Sequence, residues 1–123
     1  MKLTGEHSRT EIRLVGDPRL ARGVAHIILH VGQRAGLASA VQREFAEAAE
    51  SACCEEFHYL RGPDSTLKVT VEDFADRIEV LLERSGAAAS SAKPNPLAGV
   101  DRIMHESRNG NSRTTLIKFL GKS

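Results

Sequence analysis

Three groups of residues in this chain are of types that could do chemistry. His26 and His30 stand four apart, a spacing that puts two imidazoles on one side of a helix, within reach of one metal ion. The apolar residues of the same stretch, Val24, Ile27, Ile28 and Val31, mark its inner face. The histidines therefore project away from the core, a third ligand is required, and two solvated histidines are the plainer reading. The run Cys53-Cys54-Glu55-Glu56-Phe57-His58 is dense in ligand types. Consecutive helix residues point in different directions, so the run has no metal-ligand spacing, and buried small thiols are expected ahead of a metal or a nucleophile. A Cys–His pair would also need an orienting group and a pocket. Arg102, Arg108 and Arg113 offer a basic edge for an acidic protein partner, against the plainer reading of an ordinary solvated surface.

The elements that position these residues follow from periodicity. Glu11 to Leu14 alternates as a half-buried strand does, and Gly16-Asp17-Pro18 stops it, with Asp17 as helix cap and Pro18 at the first helical position. Leu20, Val24, Ile27, Ile28 and Val31 then recur at three-four spacing, and Gly36 closes this helix after Ala35. A second helix runs from Ser39 toward Tyr59 with Val41, Phe45, Ala48, Ala49, Ala52 and Cys53 on its inner side. Its small residues imply close packing. After the turn cluster Gly62-Pro63-Asp64-Ser65 the period changes to two: Leu67, Val69 and Val71 form one strand and Ile78, Val80 and Leu82 the next, joined as an antiparallel hairpin across 73–76. Residues 86–96 are rich in Ala, Ser and Pro and read as a mobile loop. Asn95-Pro96 repeats the cap-plus-proline signal and predicts a third helix bearing Leu97, Val100, Ile103 and Met104. Asn109-Gly110-Asn111 turns the chain into a last strand in which Thr115, Ile117 and Phe119 alternate. This order predicts an α+β fold, a two-layer α/β sandwich whose mixed, mostly antiparallel sheet carries helices on one face and a polar open face.

Bulk composition bounds the function. With 123 residues, 41% hydrophobic and 27% charged, one globular domain spanning 1–123 is expected, with a polar N-terminal segment over 1–9. Seventeen basic and sixteen acidic residues leave a formal charge of +1, so no field draws the chain to nucleic acid or an acidic membrane. Adjacent Cys53 and Cys54 cannot easily meet disulfide geometry, which implies reduced thiols. The start of the chain lacks an apolar signal stretch, and no segment approaches the roughly 18 apolar residues of a membrane span. A cytoplasmic location is expected.

The element order, with Phe45-Ala46-Glu47-Ala48-Ala49-Glu50-Ser51-Ala52 on the second helix and Ile78 to Gly86 entering a loop, resembles the GHKL ATPases and in particular the anti-sigma factor serine kinases. The first stretch is similar to that family's E-A-x-x-N helix, the second to the strand leading into D-x-G-x-G. The stretches 97–106 and 113–119 resemble its closing helix and strand. The resemblance implies roles for individual positions. Glu47 matches the family's catalytic base, and Ser51 stands where Asn holds magnesium. Arg84 stands where an Asp reads the adenine amino group. Gly86 matches the first motif glycine and Ala88 replaces the second. Pro94 and Pro96 fall where lid glycines present N–H groups to the phosphates, which makes 86–96 a degenerate ATP lid.

Each replacement removes a specific capability. A serine hydroxyl is a shorter arm and a poorer magnesium donor than an amide oxygen. A guanidinium only donates and cannot accept from adenine. Ala88 carries the side chain whose absence lets backbone approach ligand, and proline has no N–H. The expected function is an anti-sigma-factor-like regulator that binds a sigma factor or a STAS-type antagonist, without kinase activity or a cofactor, with a homodimer among its expected forms. The alternative is an active magnesium- and ATP-dependent serine/threonine kinase that uses Glu47. A third reading gives the old pocket to another small molecule, with Arg84 meeting an anion.

Overall fold

The computed structural model describes residues 8–14, 21–57, 66–85, 98–108 and 111–120. Their order is β1 (Ser8–Leu14), α1 (Ala21–Arg34), α2 (Ser39–Phe57), β2 (Thr66–Asp73), β3 (Arg77–Ser85), β4 (Arg102–Arg108) and β5 (Asn111–Phe119). The strands form one sheet in the order β1-β2-β3-β5-β4. All four pairings are antiparallel, so the fold is α+β with an antiparallel sheet in place of the mixed one expected.

Both helices lie on one face of this sheet. Val24, Ile28 and Val31 of α1 and Phe45, Ala49 and Cys53 of α2 join Leu67, Val69, Val71, Ile78, Val80, Leu82 and Leu116 in a single core. The three-four spacing on the helices and the alternation on β2 and β3 generate this arrangement directly. Ala46, Ala48 and Ala49 are buried, and such small side chains let α2 approach its neighbours closely. A Schellman turn joins the helices: the Leu37 N–H donates to Gly32 O at 3.0 Å and the Gly36 N–H to Gln33 O at 3.1 Å. Gly36 takes the left-handed φ of 90° that this turn requires.

The third helix does not form over the residues expected to end it. Val100 lies in the approach to β4, and Ile103 and Met104 are consecutive residues of that strand, so they face opposite sides: Ile103 packs on the core and Met104 is 43% exposed. The spacing of Val100, Ile103 and Met104 fits a helix, but Arg102, Met104 and Glu106 also alternate with Ile103 and His105. The Asn-Gly pair that follows is a strong hairpin signal, and pairing across the sheet decides in favour of the strand, with Arg108 opposite Asn111. In β5, the residue that completes the core is Leu116, while Thr115, Ile117 and Phe119 face away from the helices. The expected loop over 86–96 and the Asn95-Pro96 cap fall outside the described residues.

The open face is laced with ion pairs, including Arg9–Glu11 at 2.8 Å, Arg77–Glu79 at 2.6 Å and Arg113–Glu83 at 3.1 Å. Between them runs a central row of Thr70, Leu81, Thr115 and Met104, opposite one another across four strands, and with Ile117 and Phe119 beside it this face is mixed, where a polar one is expected. Among the described residues, no helix is long and apolar enough to cross a membrane.

Gly99 fixes how the chain enters β4. It has a φ of 87°, and a Cβ there would stand 2.8 Å from the backbone carbonyl of Glu44 in α2. Gly36→Ala, with open space around it, is expected to lower stability by about 1–2 kcal/mol, the cost of a left-handed backbone alone. Gly99→Ala adds a backbone clash and is expected to cost clearly more. Urea unfolding of the two variants checks the order.

Candidate functional site

The positions singled out by the resemblance lie on α2 and on β3. Glu47 and Ser51 are both exposed, one helical turn apart. The buried side of α2 descends through Phe45, Ala49 and Cys53 to Glu56, at steps of four, four and three. Nine residues separate Glu47 from Glu56, which at 100° per residue places them on opposite sides of the helix. Glu47 and Ser51 therefore share one exposed side of α2, and Arg84 belongs to the other.

Arg84 ends the inward row Ile78, Val80, Leu82 on β3 and is only 1% exposed. Its neighbours across the sheet are Leu67 on β2 and Ser112 on β5. A guanidinium removed from water at this depth requires a carboxylate partner. Glu56 supplies it: Arg84 Nε donates to Glu56 Oε1 at 2.6 Å. This charge-assisted bond joins the last turns of α2 to the middle of the sheet. The position expected to meet an adenine or an anion thus holds a cation engaged by a carboxylate of the same chain.

The partner of Arg84 was not singled out by sequence reasoning, although a signal for it exists. The apolar row of β3 continues at the next inward position into Arg84, and the apolar side of α2 continues one turn past Cys53 into Glu56. Opposite charges ending two facing apolar rows are a pattern for a buried pair. Polar character then spreads across the inner face. His105 Nδ1 and Thr114 Oγ1 are 2.9 Å apart. The buried His105 Nε2 and Ser112 Oγ have no hydrogen-bond partner among the described residues. Gly86, Ala88, Pro94 and Pro96 fall outside the described residues.

The other candidates separate cleanly. His26 and His30 are exposed on α1. Among the described residues, no group of three or more His, Cys, Asp or Glu side chains is arranged to hold a metal ion. Cys53 is fully buried and Cys54 half-buried. Burial, followed by the neighbouring Cys54, Glu56 and Glu50, pushes the Cys53 thiol up to about 12. A thiol held protonated in this way is a poor nucleophile. Of the basic edge, Arg102 is exposed and Arg113 is engaged by Glu83.

Glu56→Ala or Arg84→Ala removes one member of a buried, charge-assisted pair and is expected to lower stability by about 3–5 kcal/mol, whereas Glu56→Leu/Arg84→Met is expected to recover most of the loss. Chemical denaturation of the three variants measures this. For Cys53, the folded state keeps its proton between the unfolded thiol value of about 9 and the folded value of about 12. Its contribution is intact below the lower value and declines by about 1.4 kcal/mol per pH unit above it. Denaturation midpoints at pH 8 to about 10.5 are expected to fall more steeply for the native chain than for Cys53→Ala.

No protein-family model matches the chain, and no curated protein matches it.

Proposed function

We propose that this chain is a regulatory binding protein of the anti-sigma type, holding a GHKL-like sandwich whose former nucleotide site no longer serves ATP. Its partner on this reading is a sigma factor or a STAS-type antagonist, gripped through the protein surface, and it transfers no phosphate. The observation that carries the reading is the buried Arg84–Glu56 pair. Phosphoryl transfer depends on electrostatic positioning of metal, phosphates and acceptor, and an adenine site depends on an acceptor for the exocyclic amine. At the matching position this chain has a donor-only side chain, sequestered from solvent and engaged by its own helix. Ser51 in place of the magnesium-binding Asn supports the same reading. The α1–α2 layer on one face of the sheet, with Glu47 on the second helix, supports the GHKL likeness, while the antiparallel sheet, in place of a mixed one, departs from it. The strand at β4, where the family has a helix, is this chain's departure from it.

A thermal-shift measurement with ATP and magnesium tests this directly, because a ligand at a hundred times its Kd stabilises the folded state by about 2.7 kcal/mol. No shift is expected at millimolar nucleotide, together with a stable complex when sigma factors and STAS-domain proteins from the same source are presented in pull-down. Transfer of labelled phosphate to a STAS-type acceptor, lost in Glu47→Ala, would instead establish the kinase.

A further inference from the structure

The sheet has β4 at one edge, with β5 on one side and, among the described residues, no strand on the other. Its register against β5 is unbroken from Arg102 opposite Ile117 to Arg108 opposite Asn111. Edges are commonly blunted by a bulge or a proline, and this strand has neither. On the open face β4 presents Arg102, Met104 and Glu106, all exposed. Among the described residues, Met104 and Phe119 are the two exposed large apolar side chains. The nearby charges Arg113 and Lys118 are matched by Glu83 at 3.1 Å and Asp101 at 3.4 Å, whereas Arg102 and Glu106 have no ion-pair partner among the described residues.

The three residues form a pattern that is symmetric in position and opposite in charge about Met104. In an antiparallel strand pair, residues directly opposite share a face, and opposite charges or apolar pairs there are favourable. A two-fold axis at Met104 puts Arg102 opposite Glu106 of a second copy, Glu106 opposite its Arg102, and methionine against methionine. On the other face Ile103 meets His105 twice. Moving the axis to His105 brings Arg102 opposite Arg108 and moving it to Glu106 brings Glu106 opposite itself, both like-charge contacts, so among registers that pair five or more residues of β4 the charges select the one at Met104. On the other edge, Arg9 and Glu11 of β1 also stand symmetric about Thr10, but they are already paired with each other at 2.8 Å.

We propose that β4 pairs with β4 of a second copy about this axis, giving a closed two-fold dimer in which one sheet runs through both protomers. A homodimer is already among the expectations of the regulatory reading, and what is added here is its interface, argued from the register and charges of β4 alone. Sedimentation velocity of the full chain tests it. The native chain is expected to show a monomer–dimer equilibrium. Arg102→Glu alone and Glu106→Arg alone each create two like-charge contacts and are expected to raise the Kd on the order of tenfold. The swap Arg102→Glu/Glu106→Arg restores both attractions and is expected to return the Kd close to the native value. Both substitutions are at exposed positions, and circular dichroism verifies that each of the three variants is folded. A chain that stays monomeric at millimolar concentration overturns the proposal, as does a dimer indifferent to the single reversals or one that the swap fails to restore.

Discussion

A guanidinium almost wholly withdrawn from water is the costliest group in this fold, and much of the architecture answers to it. Arg84 lies at the end of the apolar row of β3, where it can be neither hydrated nor left without a counter-charge. Glu56 meets that demand from the last turns of α2. The helix that delivers this carboxylate also packs Phe45, Ala46, Ala49 and Cys53 into the core, and its small side chains permit the close approach. The same approach brings the Glu44 backbone so near to the entry of β4 that only a glycine fits at position 99. The ion pair at one end of α2 and the glycine contact toward the other thus constrain the same helix against the same layer.

This constraint bears on function because it fixes what Arg84 is available to do. An arginine at a binding position ordinarily waits for an anion or a planar partner, with its donors directed into a cavity. Here a donor is directed at a residue of the same chain, and the exposed Glu47 and Ser51 lie around the far side of α2. The residues that the family resemblance would gather around one nucleotide are divided between the interior and the surface.

Much of the fold was legible in the sequence where one period dominated. Val24, Ile28 and Val31 on α1, Phe45, Ala49 and Cys53 on α2, and the alternating rows of β2 and β3 were assigned to the core from spacing alone. The reading failed where two periods overlapped, at Val100, Ile103 and Met104, because three apolar residues at helical spacing also fit a strand, and cross-strand pairing with β5 is not a local property. It assigned β5 by its outward row for the same reason: Thr115, Ile117 and Phe119 are the more conspicuous alternation, but Leu116 faces the helices. At the candidate site, the residue types at 47, 51 and 84 were readable, whereas the Arg84–Glu56 contact, 28 residues apart in the chain, required the packing of α2 on the sheet.

The account therefore turns on whether Arg84 belongs to Glu56 or to a ligand. Nuclear magnetic resonance of the Arg84 Nε–H in labelled protein reads this directly, since a buried, charge-assisted donor exchanges slowly with water and its shift reports its acceptor. The account predicts a protected Nε–H resonance that loses its protection in Glu56→Ala, which removes the acceptor, and is unmoved by magnesium and ATP. A rapidly exchanging Nε–H in the native chain, or a resonance that shifts in a saturable way as nucleotide is added, would contradict it.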